Sequence, residues 1–137
     1  MSYLLDTNII SETVKTKPNA SLINWLEKVP TEDLFVSVLT IGEIRKGVEL
    51  LSNTKKKSEL IVWLENDLRN WFGGRILSVD ASAADKWGFI LANSSKSFSA
   101  IDALIAATAL TQNLKLVTRN TKDFADVKDL ELINPFL

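Results

Sequence analysis

Four runs of apolar residues, Tyr3 to Leu5, Leu34 to Leu39, Ile76 to Val79 and Leu114 to Val117, lack strict polar alternation, as expected of strands covered on both faces. A fifth candidate strand, Leu130 to Ile133, lies just before Pro135. Between them the pattern changes to a helical period. Ser21 to Lys28 carries Leu22, Ile23, Trp25 and Leu26, and a longer pattern from Lys56 to Trp71 aligns Leu60, Ile61, Leu64, Leu68 and Trp71 on one stripe. That pattern stops at Gly73-Gly74, a helix C-terminus signal, and Ala81 to Ala92 and Ala100 to Leu110 read as Ala-rich helices. Alternating strands and helices predict an α/β fold with a mainly parallel four- to five-stranded sheet covered on both faces. In such sheets the functional crevice lies beyond the carboxyl ends of the strands.

The residues that follow the strands are polar: Asp6-Thr7-Asn8, then Thr40 to Glu43 in SVLTIGEIRKG, and Thr118 to Asp123 after the fourth. Ser99 to Asp102 opens the most Ala-rich helix. Each stretch has a structural reading as a helix cap: Asp6 and Asn120 singly, Thr40 with Glu43 and Ser99 with Asp102 as capping boxes. As a set they also predict converging carboxylates, which repel one another unless a cation lies between them. Oxygen ligands alone select magnesium or manganese, and such an ion can activate water and offset charge on a phosphoryl group.

Composition narrows the chemistry. The 137 residues suit one domain, 1–137, and contain neither cysteine nor histidine. This excludes disulfides, thiolate metal sites, His-rich zinc sites and the Ser-His-Asp triad. A net charge of −1 gives no global basic field. No run reaches the length of a membrane span and no signal-like start is present, so the expectation is a cytoplasmic protein without membrane contact.

Taken together, LLDTNIISE, SVLTIGEIRKGVELL, DALIAATAL and LVTRNTKDF, in this order and spacing, resemble the PIN-domain ribonucleases. More narrowly they resemble the VapC toxins of bacterial and archaeal toxin–antitoxin pairs, and WFGGRILSVD fits the same pattern. The resemblance implies a three-layer α/β/α sandwich with an acidic pocket for Mg²⁺ or Mn²⁺, and endonucleolytic cleavage of RNA by metal-activated water. Asp6, Glu43 and Asp102 match the family's three acids. The fourth position, Asp in some members, is Asn120 here, so a second metal would be held more weakly or only with substrate present. Asp123, one helical turn further on, is a water-mediated contributor rather than a direct ligand. The implied partners are a VapB-type antitoxin and an RNA substrate, with a homodimer or a higher-order complex with antitoxin as the assembly.

Thr7, Asn8 and Thr118 are candidates for hydrogen bonds that orient the carboxylates. Arg45, Lys46 and Arg119 are the nearest cations in sequence and candidates for RNA phosphates, whereas Lys55-Lys56-Lys57 reads as a solvated helix start. The apolar early helices (Ile9-Ile10, Leu22 to Leu26, Ile61 to Leu68) are candidate docking surfaces. Three rivals share some of these features. A haloacid-dehalogenase-like phosphatase requires an Asp at position 8, which is Asn8, and a receiver module requires an acidic pair where the chain has Asp6-Thr7. A PIN-like protein that mainly binds an antitoxin, with little nuclease activity, is compatible with the neutral Asn120.

Overall fold

The structure, a computed structural model, describes residues 1–95 and 97–137. Five parallel strands, β1 (Tyr3–Leu5), β2 (Leu34–Ser37), β3 (Ile76–Leu77), β4 (Lys115–Val117) and β5 (Leu132–Ile133), form one sheet in the order β3-β2-β1-β4-β5. Tyr3 pairs with Leu34 on one side and Lys115 on the other, so the shortest route from the chain's start leads to the sheet centre. The chain winds outward from β1 in both directions, and the order reverses between β1 and β4, the switch point beyond whose carboxyl edge such sheets place their functional crevice.

Alternation along each strand builds the three layers. Tyr3, Leu5, Leu34, Val36 and Val117 face one side, with Ile9, Ile10, Leu22, Leu64, Leu68 and Phe72 from the helices that precede β3. Leu4, Phe35, Leu77 and Leu116 face the other, against Ala103, Ile105, Ala106, Ala107 and Phe124. The first side holds α1 (Thr7–Thr13), α2 (Ala20–Lys28), α3 (Val38–Glu49), α4 (Thr54–Val62) and α5 (Arg69–Phe72); the second holds α6 (Ala81–Ala92), α7 (Ala100–Thr111) and α8 (Thr121–Phe124). The alanines of α7 bring it close to the sheet, which fixes the residues of its first turn relative to β1.

Several expectations change in detail. Strand β2 ends at Ser37, whose hydroxyl accepts from the Leu39 N–H and caps α3. Val38 and Leu39, apolar and read as strand, therefore open the helix, and Thr40 and Glu43 lie inside it rather than forming a capping box. The long Lys56–Trp71 pattern is interrupted by a π-helical segment, Trp63–Leu68, which keeps both Leu64 and Leu68 fully buried. It ends at Phe72, where Gly73 takes φ +53, a left-handed conformation that favours glycine. Ile9, Ile10, Leu22, Leu64 and Leu68 have no exposed surface; they form the core and are not docking surfaces. Among the described residues, no helix is long and apolar enough to cross a membrane.

Candidate active site

Asp6 leaves β1 where it meets β4: its N–H bonds the Val117 carbonyl at 2.9 Å, and the residue is only 5% exposed. Its carboxylate is fully held by local structure. Oδ1 accepts the Thr7 N–H at 2.8 Å, which caps α1, and Oδ2 accepts the Thr118 hydroxyl at 2.8 Å and the Asn8 amide at 3.2 Å. Thr118, the first residue after β4, also accepts the Asn8 amide at 3.3 Å and the Asn120 N–H at 3.0 Å. Asn8 Oδ1 accepts the Arg119 N–H at 3.1 Å. Asn8 and Thr118 thus tie the start of α1 to the loop after β4, and both touch the Asp6 carboxylate directly. Thr7 does the same for the second acid: its hydroxyl donates to the Glu43 carboxylate and lies 3.1 Å from the Thr40 hydroxyl. Thr7, Asn8 and Thr118, the polar residues expected to orient the acids, each hydrogen-bond Asp6 or Glu43.

The acids feel one another. Burial raises the Asp6 pKa above the ordinary carboxyl value, and the charges of Asp102 and Glu43 push in the same direction, against the hydrogen bonds from Thr118 and Thr7. Asp102, half-buried in the first turn of α7, has its N–H bound by the capping hydroxyl of Ser99 at 3.0 Å. Its pKa is raised by burial and by the charge of Asp123, and lowered by Ser99. Glu43 and Asp102 thus lie near Asp6, and Asp123 lies near Asp102. Asn120 occupies the N-cap position of α8, but its side chain makes no capping bond; the loop's backbone, not its amide, is what Thr118 secures.

The donor set is oxygen throughout, and its members repel one another, which suits a hard divalent cation. Among the described residues, no three acids are drawn into a ready-made ligand cage. Glu43 also borders two flanking clefts. One runs past Val14, Lys15, Ile44, Leu60 and Trp63, the other past Val38, Gly42, Lys46, Leu50 and Ile101.

The three candidate cations separate. Arg45 is bound by Glu49 at 3.1 Å and Glu65 at 2.6 Å. Lys46 lies in the cleft beside Glu43. Arg119 lies in the loop that carries Asn120, its guanidinium 4.6 Å from the centre of the Phe136 ring. Sequence reasoning missed Ser37 as the cap of α3 and the contacts that Asn134 and Phe136 make with this loop. The Ser-before-helix pattern could have revealed the first; no local signal marks the second.

The chain matches the PIN domain over residues 3–130. It is 39% identical over 136 residues to toxin FitB of Neisseria gonorrhoeae, covering 97% of each chain. To a VapC ribonuclease of Sinorhizobium fredii it is 31% identical over 136 residues, covering 97% of this chain and 96% of the other. Among solved structures it resembles FitAcB from N. gonorrhoeae, with a TM-score of 0.90 and 39% identity across 98% of both chains. It also resembles VapBC2 from Rickettsia felis bound to a DNA fragment from their promoter, with a TM-score of 0.76 and 26% identity across 98% of both. With its sheet order, its acids at the carboxyl edge and a match that spans nearly its whole length, the chain belongs to the PIN-domain family.

Proposed function

We propose that this chain is the toxin of a type II toxin–antitoxin pair and acts as a Mg²⁺- or Mn²⁺-dependent endoribonuclease. The observation that carries this reading is that Glu43 hydrogen-bonds Thr7, the residue after Asp6, and that the charges of Glu43 and Asp102 both raise the Asp6 pKa. Relatives named as a toxin and as a VapC ribonuclease support it.

In this reading Asp6, Glu43 and Asp102 hold the cation, which when bound would lower the pKa of a water molecule and offset charge on the scissile phosphate. The chain's own contribution is preorganisation. Thr7, Asn8 and Thr118 fix both oxygens of Asp6, and Thr7 also fixes Glu43. A carboxylate so held is presented with little loss of side-chain freedom on binding. With no histidine in the chain, proton transfer falls to these carboxylates and water.

The partner is an antitoxin that covers the acidic pocket; the likeness to VapBC2 bound to promoter DNA supports a toxin–antitoxin complex that binds DNA. RNA cleavage by the purified chain with Mg²⁺ or Mn²⁺, abolished by Asp6→Asn or Asp102→Asn, tests the enzyme. Growth arrest on expression, relieved by co-expressing a small adjacent gene, tests the pairing. A second reading, an antitoxin-binding protein with little nuclease activity, is favoured by the neutral Asn120 and by the lack of a ready-made cage of three acids among the described residues. RNA left intact at full metal occupancy would decide for it.

A further inference from the structure

Arg119 is held at both backbone polar groups, and its guanidinium lies over an aromatic ring. Its N–H donates to Asn8 Oδ1 at 3.1 Å, and its carbonyl accepts the Asn134 amide at 3.4 Å. Its guanidinium lies 4.6 Å from the Phe136 ring centre. Phe136 is itself placed by an N–H bond to Asn134 Oδ1 at 3.0 Å and by packing against the core on the α1 side of the sheet. We infer that Arg119 is a phosphodiester-binding residue on the RNA path, and that Asn134 to Phe136, the segment after β5, is the element that holds it in position. This inference rests on the ribonuclease reading above.

Stacking on a ring occupies a guanidinium's face and leaves its in-plane N–H groups pointing outward, the geometry that grips a phosphate with two parallel bonds. Among the described residues, no hydrogen bond or ion pair engages the Arg119 guanidinium. The acid that feels its charge, Glu12, is already bound by Lys15 at 2.8 Å and by the Asn19 N–H at 2.9 Å. Arg45 offers the opposite case, with its guanidinium shared between two carboxylates. Asn8 links the Arg119 backbone to Asp6 through a single side chain. A cationic contact on this loop would offset the repulsion between RNA and carboxylates.

The test uses the full-length chain carrying Asp102→Asn, so that RNA stays intact, with fluorescein-labelled single-stranded RNA titrated in Mg²⁺ across a NaCl series. Adding Arg119→Ala should weaken binding about tenfold and flatten the log–log salt slope by about 0.7, one phosphate contact on a single strand. Arg119→Lys should keep the slope and recover part of the affinity. Phe136→Leu fills the same apolar space without a stacking face, and should weaken binding about threefold with the slope unchanged and the thermal melt intact; it replaces Phe136→Ala, which risks the fold. Arg45→Ala should bind as the parent. Parent-like affinity and slope for Arg119→Ala, or an equal loss for Arg45→Ala, overturns the phosphate contact. Parent-like affinity for Phe136→Leu overturns the role of the segment after β5. Cleavage by the wild-type chain, assayed in parallel, separates the two levels: RNA bound through Arg119 but left uncut counts against the nuclease alone, and no binding by the parent overturns both.

Discussion

The Thr118 hydroxyl donates to Asp6 Oδ2 at 2.8 Å, joining the exits of the two central strands across 112 residues of chain. Thr118 is fully buried, and the same oxygen accepts from Asn8 and from the Asn120 N–H. One hydroxyl therefore sets the geometry of the first acid and of the loop after β4.

Replacing Thr118 by Val keeps the volume and removes the hydroxyl, leaving the Asn8 amide and the Asn120 N–H without their shared acceptor. Stability should fall by about 1–3 kcal/mol, the cost of unsatisfied buried polar groups. Urea unfolding measures it, and Thr118→Ser should recover most of the loss. A Val variant as stable as wild type would show that the network is incidental.

The shift at Asp6 predicts a pH dependence of stability. Burial, with the charges of Asp102 and Glu43 adding to it, raises its native pKa. Between the ordinary Asp value, about 3.9, and that raised value, the native chain keeps a proton that the unfolded chain has lost. Native stability therefore falls as pH rises through this window, and the penalty is constant above it. Asp6→Asn carries no such proton. In EDTA, the unfolding free energy of Asp6→Asn minus that of wild type should grow with pH across the window and then level off. A difference independent of pH contradicts the shift.

Asn120→Asp adds a carboxylate at the N-cap position of α8. Without divalent ions it should lower the melting temperature, because another negative charge joins Asp102 and Asp123. With Mg²⁺ it should move the midpoint of the thermal-shift titration to about tenfold lower concentration. An unchanged midpoint would place Asn120 outside the reach of the metal.

The sheet was legible because unalternating apolar runs such as Tyr3–Leu5 have few uses in a small domain other than a doubly covered strand. Asp6 stood out as a candidate because the residue just past such a strand has a fixed address, whereas Glu43 lies inside α3 and Asp102 opens a helix that follows another helix. Boundaries were less so: Val38 and Leu39 serve a helix as readily as a strand, and only the Ser37 cap separates the two. The π-helical turn at Trp63–Leu68 was invisible, since an extra residue per turn barely disturbs an apolar stripe. The pairing of Arg45 with Glu65 was not legible, because that acid comes from a segment brought near only by the fold. Asn134 and Phe136 carry no local signal at all, and their contact with Arg119 arises from tertiary structure.

Single-turnover cleavage of a labelled RNA tests the central claim most directly, with wild type, Asp6→Asn and Asp102→Asn compared in Mg²⁺, in Mn²⁺ and in EDTA. The account predicts cutting by wild type with either metal, none in EDTA, and a loss of at least about 100-fold in both variants, the scale of a removed charge-stabilising group. Variants that cut as fast as wild type, or a wild type that cuts equally well in EDTA, would contradict it.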